Sequence, residues 1–253
     1  MWRHVTDNNK SEDRPGAERT GDPGARTLDA AESTAAAALR AATTRPVATH
    51  AKVRMSSAQR REQLIAVGRH TFAEKGLDAT SVEEVAARAK VSKPVVYEHF
   101  GGKEGLYAVV VDREMGRLLS RITSALSGGT HPRELLERAA GALLDYIEDS
   151  SAGFRILVRD SPVATGTGSF SGLLNDIASQ VEHILGQQFA DRGYDAKLAG
   201  LYSQALVGMV ALTGQWWLEE RSPDKDQVVT HLVNLAWNGL RHLEHEPRTA
   251  LRH

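Results

Sequence analysis

The chain has no cysteine in its 253 residues. Disulfides, thiol catalysis and cysteine-ligated metals are therefore excluded. Sustained apolar/polar alternation of period two is also missing, so the chain reads as all-α. No apolar run reads as long enough to span a bilayer. The opening MWRHVTDNNKSEDRPG is polar throughout and lacks the apolar core of a signal peptide. The expectation is a cytoplasmic protein with no membrane partner. Enzymatic motifs are missing as well. Gly101-Gly102-Lys103 lacks the upstream Gly and the following Ser/Thr of a nucleotide-binding loop. There is no Gly-x-Ser-x-Gly elbow and no His-Glu-x-x-His helix. His242 and His245, with Glu244 and Glu246 beside them, are two imidazoles without a third placed ligand. The expectation is no catalysis, no cofactor and no metal, with a helical metal-dependent enzyme as the weaker alternative.

What is present is ordinary in amount: 41% hydrophobic and 25% charged residues, enough for a small headpiece and a larger core. The net charge of −1 hides a gradient. Residues 1–54 carry nine Lys/Arg against seven Asp/Glu, residues 56–107 eight against seven, and residues 108–253 fourteen against eighteen. An acidic back end repels phosphate and orients the approach to nucleic acid. The weakly basic front argues for a few placed contacts rather than bulk attraction.

Residues 1–54, rich in Pro, Gly, Asp, Thr and Arg, read as a disordered tail. Its alanine-rich DAAESTAAAALRAATT has helix propensity but no large apolar face. Arg45, Lys52 and Arg54 suit either an arm into a minor groove or a solvated linker. Nine helices follow by periodicity and end signals. The first runs from about Ser57 to Lys75, with Leu64, Ile65, Gly68 and Phe72 on one stripe and Gly76 as its stop. The second starts at Thr80 or Ser81, either of which forms a capping box with Glu83 or Glu84. Its inner face is Val82, Val85, Ala86 and Ala89. The third spans Ser92 to Phe100, with Ser92 as N-cap and Pro94 in the first turn. The others cover about Lys103–Leu126, Pro132–Asp149, Gly153–Asp160, Leu173–Asp191, Ala196–Glu220 and Asp224–His242. VATGTGSFSG reads as a loop.

The short third helix is too small to be a core element. It shows Lys93, Pro94, Val95, Tyr97 and His99 to solvent and is braced by a helix before it, which is the logic of a helix-turn-helix DNA reader. The run TSVEEVA (80–86), VSKPVVYEHF (91–100) and KEGL (103–106) resembles the DNA-binding domain of the TetR family of transcriptional repressors. The resemblance covers about Gln59 to Tyr107, and the nine-helix layout is similar too. Phe154-Arg155-Ile156-Leu157 and the loop after it resemble actinobacterial members tied to lipid metabolism. One departure stands at Lys90, where the family often has Gly before the third helix. A positive φ there would cost a non-Gly residue roughly 1 kcal/mol.

The resemblance places Lys93, Pro94 and Val95 at the tip of a recognition helix opened by Ser92. Lys93 can donate to guanine O6 and N7, and Pro94 and Val95 can pack on thymine methyls. Tyr97, His99, Lys103 and the hydroxyl of Thr80 are expected on phosphates. The expected layout is a tail at 1–54, a helix-turn-helix headpiece at 55–102, a ligand-binding and dimerisation core at 103–246 and a tail at 247–253. A homodimer reading a palindromic double-stranded DNA operator follows from the short reach of one helix.

The last two helices are the expected dimer surface, because the eighth is apolar nearly all round. Met115, Leu119, Phe154, Leu157, Phe170, Leu174, Ile177, Met209 and Trp216 are the expected walls of a site for a small apolar effector such as a fatty-acyl or other lipid-like group. The same residues equally suit plain core packing. One of the adjacent Trp216 and Trp217 is expected in that site, the other on the dimer face or surface. Arg155 and Arg159 suit either a ligand acid group or surface salt bridges. Control by a protein partner, without a small-molecule sensor, is the alternative regulator reading.

Overall fold

The computed structural model describes residues 55–128, 131–159 and 169–247. The tail expectation, with Arg45, Lys52 and Arg54, and most of the VATGTGSFSG loop lie outside them, as does 248–253. Nine α-helices are present among the described residues, with no strand. They are α1 (Ser57–Lys75), α2 (Val82–Arg88), α3 (Lys93–Phe100), α4 (Lys103–Leu126), α5 (Pro132–Asp149), α6 (Ser151–Val158), α7 (Phe170–Asp191), α8 (Ala199–Glu220) and α9 (Lys225–Arg241).

Local chemistry explains the ends. Ser56 opens α1 with a reciprocal capping box: its hydroxyl accepts from the Gln59 amide at 3.2 Å, and the Gln59 side chain accepts from the Ser56 amide at 2.8 Å. Ser81, not Thr80, caps α2 by accepting from the Glu84 amide at 3.1 Å. The Glu84 carboxylate turns outward to Lys75 and Arg88. Ser92 has N-cap dihedrals but makes no side-chain cap bond. Gly101, at φ 72°, ends α3. Ser150 closes α5 and opens α6 at once, which moves the start of α6 two residues ahead of the Gly153 expectation. Ser169 accepts from the Gly172 amide at 3.0 Å and starts α7 at Phe170, three residues before the expected Leu173. A 3₁₀ turn, Ala196–Leu198, precedes α8.

Helices α1 to α3 pack around Leu64, Phe72, Val85, Ala89 and Val96, all buried. Helix α4 leaves them and runs into the core, where it lies along α5; α7 pairs with α8, and α9 packs on α5. The α3–α4 junction is tight: a Cβ on Gly105 would stand 1.9 Å from the Phe100 carbonyl oxygen. Only glycine lets α4 start so close beneath α3.

The polar centre of the fold is Glu114 on α4, 1% exposed. Its carboxylate accepts from the Tyr146 hydroxyl at 2.7 Å, the Ser150 hydroxyl at 3.1 Å and the Arg117 guanidinium at 2.7 Å. Arg69 of α1 is 3.6 Å away and also donates to Ser150. Burial and the adjacent carboxylate keep the Tyr146 phenol protonated well above its ordinary range. A Cβ on Gly153 would stand 2.2 Å from a Glu114 oxygen, so α6 also closes on this carboxylate.

The expectation about apolar runs is corrected. Ala196–Glu220 is a 25-residue helical stretch with a mean hydropathy of 1.2 in its apolar window, enough by length and composition to cross a membrane. Ser203, Gln204, Thr213 and Gln215 interrupt the run without adding charge, which disguises it on reading.

Lys90 takes φ 55°, the left-handed value that its place before α3 suggested. Its amide bonds the Ala87 carbonyl, and the Val91 amide bonds that of Ala86. Lys90→Gly is expected to keep stability equal or raise it by up to about 1 kcal/mol. Denaturant titration checks this, and a clear loss would mean that the lysine side chain outweighs the backbone strain.

Candidate nucleic-acid interface and effector cavity

Helix α3 lies on its headpiece through Val96, fully buried, and the half-buried Phe100. Arg61 of α1 stacks its guanidinium 4.5 Å over the Phe100 ring and donates to the His99 carbonyl at 2.9 Å. This clamps the C-terminal end of α3. The other face stays open. Ser92, Lys93 and Pro94 are exposed, Val95 and His99 are half-buried, and Tyr97 is 46% exposed. Six of the eight expected DNA-contact residues thus share one short helix and its cap.

Two of the eight are placed otherwise. Thr80 is 2% exposed, and its hydroxyl donates to the Gly76 carbonyl at 2.6 Å. A buried hydroxyl must find a partner, and here it is the chain end of α1 rather than a phosphate. Lys103 directs its ammonium at the carbonyls of Leu77, Asp78 and Thr80, at 3.1, 3.3 and 3.0 Å. Those three bonds use all its donors. The start of α4 is therefore tied to the α1–α2 turn.

Sequence reasoning took Glu83 only as a possible capping-box partner and missed that its carboxylate pairs with the Lys93 ammonium. Donation from Lys93 holds the Glu83 carboxyl below the usual carboxylate range, and Glu83 in turn raises the Lys93 ammonium. Lys93 also stands 5.8 Å from the Tyr97 ring centroid, a loose cation–π contact.

A cavity of about 120 Å³ opens between α4, α5, α7, α8 and α9. Leu118, Ile122 and Leu126 of α4 form one wall, and Leu135, Ala139 and Leu143 of α5 another. Among the described lining residues only Gln188 is a polar amide; the others are apolar or aromatic. Of the nine expected wall residues, Phe170, Leu174 and Ile177 line it. The other six do not. Phe154 and Leu157 are buried in the core, Phe154 edge-on to Tyr146 and Phe170. Met115, Leu119 and Met209 pack half-buried against it. Trp216 is 49% exposed and outside the lining, while Trp217 is buried with its indole N–H on the Pro223 carbonyl at 2.8 Å. Neither tryptophan of that pair reaches the cavity; Trp237 of α9 does. The α5 wall carries a legible apolar stripe, but periodicity does not tell a cavity wall from a filled core.

Arg155 pairs with Glu219 at 2.8 Å, and Arg159 donates to the Phe72 carbonyl at 3.3 Å, so both serve contacts within the fold. The enzyme alternative gains no support. The His242 ring meets the Asn238 carbonyl at 2.8 Å, and His245 stacks on Tyr194 at 4.2 Å.

Comparison with known proteins agrees with this geometry. Residues 64–110 match the bacterial regulatory proteins of the tetR family, and residues 121–250 match the tetracyclin repressor-like C-terminal domain. The second match alone spans more than half of the chain.

The chain belongs to the TetR family.

It is 32% identical over 200 residues to the HTH-type transcriptional activator FasR of Mycolicibacterium smegmatis, covering 75% of this chain and 87% of FasR. A TetR-like transcriptional regulator from Rhodococcus sp. RHA1 superposes with a TM-score of 0.64 at 26% identity, covering 75% of this chain and all of that one. The fatty acid degradation regulator FadR of Bacillus halodurans shares the fold, with a TM-score of 0.60 at 20% identity over 73% of this chain and 97% of FadR. The chain is a helix-turn-helix transcriptional regulator of this family, and its relatives are regulators rather than enzymes.

In this TetR-family headpiece, Lys103→Ala removes the brace between α4 and the α1–α2 turn. The expected result is a loss of about 1 kcal/mol of stability, because the freed carbonyls recover bonds only from water. Thermal melting checks this, and an unchanged melting temperature would leave Lys103 no structural role.

Proposed function

We propose that the chain is a homodimeric repressor that holds a palindromic operator while its cavity is empty, and leaves the DNA when a small apolar molecule fills it. The observation that carries this reading is α4. The helix starts after only two residues beyond α3, Gly101 and Gly102, and ends in the cavity wall at Leu118, Ile122 and Leu126. A ligand wedged against that wall acts on the element that sets headpiece position. It must bind the released spacing more tightly than the DNA-bound one, or it shifts nothing.

In this reading residues 55–102 read DNA and residues 103–246 sense and dimerise. Ser92, Lys93, Pro94, Val95, Tyr97 and His99 form the reading surface. The effector is apolar and chain-like, of fatty-acyl kind, because the cavity offers almost no polar partner. An empty apolar cavity costs stability, which favours a sensor over a regulator controlled by a protein partner alone.

The dimer surface is the outer face of α8 and α9. Leu201, Leu212 and Leu235 are each 65% exposed, and Trp216 adds an aromatic among them. Only 17% of the apolar window in Ala196–Glu220 is buried in a single copy. A helix apolar on every side needs a second layer over its outer face.

Two experiments test the proposal. Ala139→Phe fills the cavity and should keep operator affinity while abolishing release by palmitate or a palmitoyl thioester. If neither probe weakens operator binding by the unaltered protein, the fatty-acyl assignment is wrong. Leu201→Glu with Leu212→Glu should give a monomer in sedimentation and weaken operator binding on the order of 100-fold, as two linked headpieces become one. A variant that stays dimeric would move the interface elsewhere.

A further inference from the structure

Lys93 is the one Lys or Arg on α3, and in the free protein it is already paired. Its ammonium is paired with Glu83, in the first turn of α2, and rests near the Tyr97 ring. Most other headpiece cations are also engaged. Lys75 and Arg88 hold Glu84, Arg69 serves Glu114, Arg61 donates to the His99 carbonyl, and Lys103 is spent on three carbonyls. Binding to arbitrary DNA comes almost wholly from cations given to phosphates, each contributing about 0.9 to the salt slope. A headpiece that keeps its cations paired has little of this to offer.

From this pairing we infer that Glu83 is a specificity-determining residue: it withholds Lys93 from arbitrary phosphates and yields it only where a base edge repays the broken pair. The inference rests on the proposed seating of α3 in the groove. On non-cognate DNA Lys93 stays with Glu83, and the complex forgoes one phosphate contact. On the operator Lys93 swings to guanine O6 and N7. That swing leaves the Glu83 carboxylate unpaired beside the DNA backbone, at a cost that only a correct base offsets. Glu83 therefore weakens all binding but weakens wrong binding more. The same depression that holds Glu83 is lined by Ser81, Tyr97 and Glu104, so the carboxylate lies beside the reading surface and not behind it.

The test uses the full chain, an operator duplex recovered by selection from random-sequence DNA, and a scrambled duplex of equal length. Affinities are measured across a salt series for the unaltered protein, Glu83→Gln, Lys93→Ala and the double variant. Glu83→Gln keeps the side-chain shape, and its melting temperature controls for folding. On scrambled DNA it should bind several-fold tighter at low salt, with the salt slope steeper by about 0.9. On the operator the slope should stay constant, so the ratio of specific to non-specific affinity falls. In the double variant the gain on scrambled DNA should vanish, because it runs through Lys93. A gain that persists without Lys93 means plain charge repulsion and overturns the withholding role. An unchanged affinity ratio in Glu83→Gln overturns it as well. Failure of the underlying reading looks different: Lys93→Ala would then leave operator affinity intact, whatever Glu83→Gln does.

Discussion

A carboxylate buried at 1% exposure governs how this molecule is assembled. An uncompensated charge in that position would cost several kcal/mol. Glu114 is instead met by Tyr146 and Ser150 from α5 and its end, by Arg117 on its own helix and by Arg69 from α1. Those partners can converge on one carboxylate only if α4 takes one roll and one depth relative to the headpiece and the core. Gly153 adds a steric condition, since a larger residue would collide with the same oxygens. Placement of both the reading helix and the cavity wall follows from that constraint.

The two ends of α4 are finished differently. At the headpiece end the backbone of Gly105 sits under the Phe100 carbonyl, and Lys103 ties the first turn to three carbonyls of the α1–α2 connection. At the other end apolar side chains face a space that no described residue fills. In the proposed reading α4 couples the two sites, and by linkage each acts on the other. The physical requirement for a ligand-controlled reader is a bistable element shared by both sites, and α4 has that position.

Much of this was legible in residue order. All nine helices among the described residues match the periodicity reading, and α1, α4 and α5 match it end to end. The stripe of Val82, Val85, Ala86 and Ala89 is buried as its spacing implied, and Lys90 does take a positive φ. The exposed face of α3 was readable because few residues separate its signals. Thr80 and Lys103 were not. Both are polar residues at helix starts, where phosphate binding and backbone capping demand the same donors, and only neighbours distant in sequence select between them. Glu83 escaped for a similar reason, since its partner lies ten residues away across a turn.

The cavity shows where residue order runs out. Phe170, Leu174 and Ile177 line it, while Phe154, Leu157 and Trp216 do not. All six are large and apolar on helical stripes, so spacing alone assigns them equally. By itself the sequence determined the helices, their order and the reading motif, because each depends on hydrogen bonds and periodicity within a few residues. Which apolar side chains meet one another, which face an unfilled space and which donors are consumed by backbone carbonyls were decided only by the tertiary structure. Those outcomes depend on how helices far apart in the chain roll against each other, and local spacing carries no record of that roll.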